Sequence, residues 1–153
     1  MSFAVDVNVL LYASDRSSPF SARAAEFLGS CAAGSEVWCL AWPTVMGYLR
    51  MVTHPAICRE PLAPEAAMQN IESLLRLPHV RTLAEDERFW DVYKEVVGDV
   101  PARGSLVPDA HLAALLHLHG VGTLYTNDKG FRRFDFLTVR DPFEQARQSS
   151  FST

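Results

Sequence analysis

The sequence has little that would place the protein in a membrane or outside the cell. No stretch approaches the roughly 18 to 20 apolar residues that a membrane-spanning helix needs. The first residues, MSFAVDVN, include neither a basic region nor a long apolar run, so we expect no secretory signal. The three cysteines are odd in number and form no CxxC pair, which predicts reduced thiols rather than disulfide bonds. We therefore expect a cytoplasmic protein with no membrane-embedded part.

Lysine is also scarce, because 12 of the 14 basic residues are arginines. The formal net charge of −4 argues mildly against nonspecific binding to a polyanion such as a nucleic acid. A guanidinium group binds phosphate in a bidentate manner better than an ammonium group does. The arginines therefore favour a phosphate-containing ligand, but only weakly, since a GC-rich genome would enrich arginine as well.

What the sequence does contain is a regular alternation of predicted strands and helices. Its 153 residues, 48% apolar and 21% charged, are typical of one globular domain with a hydrophobic core. Apolar runs at residues 3–7 and 123–126 are typical of buried parallel strands. This pattern predicts a three-layer α/β/α domain with a short, mainly parallel central sheet over residues 1–145. Residues 146–153 are predicted to form a flexible tail.

Prolines and acidic residues mark several expected helix starts. Ser18-Pro19 offers an N-cap followed by proline at the first helical position. Residues 85–97 read as a helix with acidic residues in its first turn, where the helix dipole favours them. A further helix is predicted to open at Pro108 and to end at Gly120.

Three aspartates fall at predicted strand ends or helix starts. Asp6 ends the first strand, Asp128 follows the strand at residues 122–126, and Asp109 lies in the first turn of the helix opened by Pro108. Ligands of open parallel sheets bind outside the carboxyl ends of the strands. Carboxylates that converge there raise one another's pKa, and a hard cation such as Mg²⁺ or Mn²⁺ removes this repulsion. The sequence therefore predicts a metal site, although each aspartate alone could equally cap a helix or close a turn.

Four segments, in this order and spacing, carry a resemblance to a known family: VDVNVLLYA, AWPTVMGYLRMVTHP, LVPDAHLAALLHLHG and TLYTNDKGFRRF. From residue 3 to about residue 143 the chain resembles the PIN-domain ribonucleases, and among them the VapC-type toxins of bacterial toxin–antitoxin pairs. The resemblance implies a PIN-like fold and Mg²⁺- or Mn²⁺-dependent endonucleolytic cleavage of RNA. It also implies a VapB-type antitoxin as partner and a homodimer.

The resemblance assigns roles to five residues of the motifs. Asp6, Asp109 and Asp128 match the family's metal-binding aspartates, which carry the catalysis. Thr126 matches a hydroxyl residue that orients either the water shell of the metal or a neighbouring carboxylate. Asn8 matches the polar residue after the first aspartate and would act through such a neighbour.

Arginines close to the motifs are predicted to hold the RNA backbone. Arg132 and Arg133 follow Asp128 closely, and Arg50 lies in the middle motif. Phosphate contacts of this kind supply much of the affinity for nucleic acids. The alternative for each of them is an ordinary solvated surface arginine.

One position departs from the family pattern. The family usually has a glutamate where this chain has Gly47. A glycine inside a helix costs roughly 1 kcal/mol relative to alanine, so Gly47 needs a reason. Either close packing requires it, or it leaves room for a substrate phosphate or for metal-bound waters. The missing acid also keeps open an alternative function, a catalytically degenerate PIN-like module that binds RNA or protein.

A second alternative starts from the first aspartate alone. Phosphatases of the haloacid dehalogenase type also place a nucleophilic aspartate at the end of their first strand. Their chemistry needs a general acid two residues later, where this chain has Asn8. The sequence therefore disfavours this class.

Overall fold

The computed structural model describes residues 2–99 and 101–144. Over these residues five parallel strands form one sheet in the order β3-β2-β1-β4-β5. The strands are β1 (Phe3–Val5), β2 (Trp38–Ala41), β3 (Val80–Leu83), β4 (Thr123–Tyr125) and β5 (Thr138–Arg140). The first strand of the chain thus lies at the centre of the sheet. The tail predicted over residues 146–153 lies outside the described residues.

Helices connect the strands. Within the described part of the chain they are α1 (Val7–Ser14), α2 (Ser21–Ala33), α3 (Trp42–Val52), α4 (Pro64–Leu75), α5 (Phe89–Val97) and α6 (Leu106–Leu118). A 3₁₀ helix, Lys129–Arg133, follows β4. None of the helices in the described ranges is long and apolar enough to cross a membrane.

Two hydrophobic clusters lie on the two faces of the sheet. Alternate strand residues point to opposite faces, so Val5 and Leu40 pack in one cluster, whereas Ala4 and Cys39 pack in the other. The first cluster contains apolar residues of α1 to α4, and the second contains those of α5, α6 and the 3₁₀ helix. The predicted three-layer α/β/α architecture with a parallel sheet is therefore confirmed.

Two expected helix starts are wrong, and side chains that close turns explain both. Ser18 does not cap α2, since its Oγ accepts a hydrogen bond from the backbone N–H of Phe20 at 3.1 Å and the helix begins at Ser21. The helix predicted from residue 85 begins only at Phe89. There, Asp86 Oδ1 accepts a hydrogen bond from the N–H of Arg88 at 2.8 Å. Short polar side chains compete with helix formation in this way.

The helix predicted to open at Pro108 begins two residues earlier, at Leu106. Proline is tolerated there because N–H groups in the first turn have no partner within the helix. Asp109 remains in the first turn. Likewise, β1 ends at Val5, and Asp6 is the N-cap of α1 rather than the last strand residue.

The register of the sheet brings the ends of β1 and β4 together. Val5 is paired with Tyr125, so that Asp6 and Thr126 lie side by side. The backbone N–H of Asp6 donates to Tyr125 O at 3.0 Å and continues the ladder by one residue. All strands are parallel, and their carboxyl ends therefore form a single edge.

Candidate active site

Asp6 is buried at this edge, with only 7% of its surface exposed. Its two carboxylate oxygens have different partners. Oδ1 accepts the backbone N–H of Val7, and Oδ2 accepts the hydroxyl of Thr126, each at 2.8 Å. Asp6 thus caps α1, as considered from the sequence, and it also lines a cavity.

Thr126 connects three parts of the site through its hydroxyl group. Besides donating to Asp6, its Oγ1 accepts hydrogen bonds from Asn8 Nδ2 at 3.2 Å and from the backbone N–H of Asp128 at 3.0 Å. The residue is 1% exposed, and its own N–H donates to Arg140 O at 2.9 Å. Of the two roles that the resemblance implied, the structure places Thr126 where it orients a neighbouring carboxylate.

Asn8 has a polar atom that lacks a partner. Because the Thr126 hydroxyl donates to Asp6, Thr126 Oγ1 can only accept from Asn8, which fixes the amide nitrogen of Asn8 on that side. Asn8 Oδ1 is then buried without a hydrogen-bond partner. Buried polar atoms of this kind need an explanation, and a water or a hydrated ion in the adjoining cavity would supply one.

Asp109 and Asp128 reach the same cavity from other parts of the chain. Asp109 is half-buried in the first turn of α6, and Asp128 is exposed in the turn that precedes the 3₁₀ helix. The cavity is lined by Asp6, Val7, Asn8, Pro43, Thr44, Pro108, Asp109, Leu112, Asp128 and Phe131. The structure therefore brings together the three aspartates and Asn8, with Thr126 buried next to them.

Burial and the neighbouring carboxylates disfavour the ionisation of Asp6 and of Asp109. The pKa of Asp6 is raised to about 6, mainly by burial and to a smaller degree by the charges of Asp109 and Asp128, while the hydrogen bonds from Thr126 and Val7 act in the opposite direction. Burial and the charge of Asp128 also raise the pKa of Asp109, while the guanidinium of Arg133 lowers it. An acidic cavity of this kind is one that a cation would stabilise.

The residues fit a hydrated divalent cation better than a closed metal cage. Over residues 2–99 and 101–144, no three His, Cys, Asp or Glu side chains are close enough together to bind one ion directly. Mg²⁺ usually keeps several waters and is held by one or two carboxylates. Carboxylate oxygens of three aspartates are available to such an ion at the cavity.

The predicted RNA-binding arginines differ in their placement. Arg133 is close enough to Asp109 to affect its pKa, and its guanidinium carbon lies 5.8 Å from the ring centre of Phe134. Arg132 faces Glu144, with 3.9 Å between Nη2 and Oε1. Arg50 is exposed in the last turn of α3, about two turns away from the end of that helix that lines the cavity. Of these three arginines, only Arg133 has a charge that acts on an aspartate of the cavity.

The two glycines at the site have very different surroundings. A Cβ at Gly47 would meet only Val7 Cγ2, at the ordinary contact distance of 3.6 Å, so the packing explanation for Gly47 is wrong. A Cβ at Gly130 would lie 3.0 Å from Asp128 Oδ1 and 3.7 Å from Asp109 Oδ2. Sequence reasoning missed Gly130, because a glycine two residues after an aspartate looks like an ordinary turn residue.

The family assignment follows from comparison with known proteins. The family model described as PIN domain matches residues 3–137, which is most of the chain. The chain belongs to the PIN domain family. It is 47% identical to the protein named Ribonuclease VapC48 of Mycobacterium tuberculosis, over 94% of this chain and 99% of that protein. It is also 35% identical to Ribonuclease VapC43 of the same organism, over 92% and 95% of the two chains. The resemblance to VapC-type PIN-domain proteins is confirmed.

Solved structures support the PIN fold independently of sequence. VapBC2 from Rickettsia felis, bound to a DNA fragment from its promoter, matches with a TM-score of 0.65 and 14% identity, over 92% of this chain and 98% of that chain. VapC20 of Mycobacterium tuberculosis, described as a toxin that cleaves the sarcin–ricin loop, matches with a TM-score of 0.62 and 18% identity, over 90% and 98%. At these identities the likeness concerns the fold alone.

Proposed function

We propose that this PIN domain protein is a metal-dependent endoribonuclease that hydrolyses RNA phosphodiester bonds in the cytoplasm, as the toxin of a VapBC-type pair. The observation that carries the proposal is the convergence of Asp6, Asp109 and Asp128, from three distant parts of the chain, on one cavity. The chain is also nearly half identical to a protein named a VapC ribonuclease, over almost the full length of both.

The aspartates supply a site for Mg²⁺ or Mn²⁺. Asp6 and Asp109 would hold the ion directly, whereas Asp128 would act through a water or on the attacking water. A bound divalent cation neutralises phosphoryl oxygens and lowers the pKa of a bound water. Thr126 keeps Asp6 Oδ2 in place, and Asn8 supports Thr126 through the hydrogen bond from its Nδ2.

Charge at the rim of the cavity suits a phosphodiester substrate. The charge of Arg133 acts on Asp109, and the exposed Arg133 side chain can contact a substrate phosphate at the rim of the cavity. Arg132 and Arg50 would contact more distant phosphates of the RNA. Such contacts position the RNA without reading its sequence.

The proposed partners are a VapB-type antitoxin and a second copy of this chain. Four large apolar side chains are exposed on α3, α5 and α6: Trp42, Met46, Trp90 and Val107. Exposed aromatic and methionine side chains are enriched in protein interfaces, so these residues are candidates for contact with a partner. A short reading frame for a small protein directly upstream of the gene would support the antitoxin. The mass of the chain in solution tests the dimer.

The test of the function is cleavage of structured RNA by the purified chain after removal of any antitoxin. Cleavage should require Mg²⁺ or Mn²⁺ and should stop when EDTA is added. The variant Asp6→Asn should be inactive, whereas Asp135→Asn, which changes an exposed acid outside the cavity, should be as active as the wild type.

A different outcome would favour a second function. If the wild type binds RNA or a protein partner but does not cleave RNA with either metal, the chain is a catalytically degenerate binding module. The observation that supports this alternative is Gly47, which leaves the cavity with three acidic residues among those that the structure describes.

A further inference from the structure

Gly130 lies beside two of the three carboxylates of the cavity, those of Asp109 and Asp128. Its N–H donates to Asp128 Oδ1 at 2.8 Å, within the first turn of the 3₁₀ helix. A Cβ at this position would lie 3.0 Å from that same oxygen and 3.7 Å from Asp109 Oδ2. The carboxylates of Asp109 and Asp128 thus both face the side of Gly130 that carries no side chain.

The glycine is not explained by its backbone conformation. The glycines with positive φ in the described part of the chain are Gly98, Gly104 and Gly120, and Gly130 is not one of them. An alanine can therefore adopt the backbone conformation of Gly130, and it would even suit a helical turn better. The reason for glycine must lie in the space that its missing side chain leaves.

An added methyl group would act first on Asp128. A separation of 3.0 Å between a carbon and a carboxylate oxygen is well inside ordinary van der Waals contact. Because Asp128 is exposed, its side chain can move away, but the movement weakens the hydrogen bond from Gly130 N that fixes its orientation. The methyl group would also lie 3.7 Å from Asp109 Oδ2, on the side of the backbone that both carboxylates face.

We propose that Gly130 is a positioning residue of the acidic cluster, which fixes Asp128 through its N–H and leaves the space beside Asp109 and Asp128 open to a hydrated cation. This inference rests on the proposed metal-dependent function. It predicts that Gly130→Ala disturbs the metal site and leaves the fold intact.

The experiment compares Mn²⁺ binding to the full chain and to two glycine variants by titration calorimetry. Gly130→Ala should weaken Mn²⁺ binding roughly tenfold, as loss of a group that orients a metal ligand usually does. Gly122→Ala is the matched control, because its Cβ would meet no atom within 4 Å and its φ is not positive. Melting temperatures in EDTA should be the same for the wild type and for both variants.

A double variant tests whether the effect passes through Asp128. In the Asp128→Asn background, adding Gly130→Ala should cause much less further loss of Mn²⁺ affinity than it does in the wild type. Equal losses in the two backgrounds would refute the mechanism, and so would Mn²⁺ affinity unchanged by Gly130→Ala in the wild type. A wild type that neither binds Mn²⁺ nor cleaves RNA would instead refute the proposed function itself.

Discussion

Asp6 and Asp128 face the same cavity from very different surroundings. Asp6 is buried, and the hydrogen bonds of its carboxylate come from the chain neighbour Val7 and from Thr126, 120 residues away. Asp128 is exposed, and its carboxylate accepts the N–H of Gly130 inside one local turn. The buried half of the site, Asp6 with Thr126, is thus fixed by the sheet, and burial disfavours the charge of Asp6. The exposed half, Asp128 with Gly130, depends on the geometry of one local turn.

The largest effect should come from Asp6→Asn, which removes the charge of the buried half. RNA cleavage should fall by roughly a thousandfold or more, as is usual when a group essential to the reaction is lost. Cleavage assays at saturating Mg²⁺ measure the effect. A fully active Asp6→Asn protein would show that the buried half does not take part in the reaction.

The same substitution should stabilise the protein in EDTA. Ionised Asp6 costs about 3 kcal/mol at neutral pH, since each unit of pKa shift corresponds to 1.36 kcal/mol and its pKa rises from 3.8 to about 6. Asparagine has one acceptor oxygen, so one of the two hydrogen bonds is lost at about 1 kcal/mol. We expect a net gain of roughly 2 kcal/mol, measured by urea unfolding at pH 7.5. A less stable variant would contradict this explanation.

The pH dependence of stability should separate the two halves as well. In the metal-free protein Asp6 holds its proton up to a pH of about 6, whereas the unfolded chain releases it near 3.8. The contribution of Asp6 to the free energy of unfolding should therefore be most favourable below pH 4. It should decrease as the pH rises from about 4 to about 6. The raised pKa of Asp109 acts in the same direction. Urea titrations of the wild type should show this loss, and Asp6→Asn should show much less of it.

Thr126→Val tests how the buried half is joined to the exposed half. The change leaves Asn8 Nδ2, Asp6 Oδ2 and the N–H of Asp128 without their common partner. We expect a loss of about 2 kcal/mol in the free energy of unfolding, within the range for unsatisfied buried groups. Thr126→Ser, which keeps the hydroxyl, is the matched control. Equal stability of the Val and Ser variants would mean that the hydroxyl does not organise the site.

The smallest effect should come from Gly47→Ala, which contrasts with Gly130→Ala. A methyl group at Gly47 meets only Val7 at an ordinary distance, so the variant should gain roughly 1 kcal/mol from better helix propensity. Gly29→Ala, inside α2, is the matched control and should gain a similar amount, because its Cβ would meet no atom within 4 Å. If Gly47→Ala lost stability while Gly29→Ala did not, the added methyl group at Gly47 would make an unfavourable contact that outweighs its helix propensity.

The sequence predicted the buried half of the site better than the exposed half. Parallel strands end at one edge of a sheet, so a carboxylate after β1 and a hydroxyl after β4 are expected to meet there. The register that places Asp6 beside Thr126 is set by the pairing of Val5 with Tyr125, which no local pattern reveals. The hydrogen bonds of Thr126 depend on that register and could not be predicted.

The exposed half was less predictable because local turns determine it. The segment KGFRR has no hydrophobic periodicity, and the 3₁₀ helix Lys129–Arg133 was not expected. Proline is common at the first position of a helix, so the sequence predicts that α6 begins at Pro108. The helix begins at Leu106 because proline is tolerated throughout the first turn. The role proposed for Gly130 depends on the distance to Asp128 Oδ1, which only coordinates provide.

The position of Asp109 on α6 has a consequence for mutations that inactivate the protein. Every residue from Leu112 to Leu116 in that helix is buried, so most changes in the helix remove the core and the carboxylate together. We therefore expect most random changes in the buried part of α6 to unfold the chain, whereas changes at Asp6, at Asp109 or around residues 127–130 should inactivate a chain that remains folded. Only the folded variants would keep the surface of the wild-type protein.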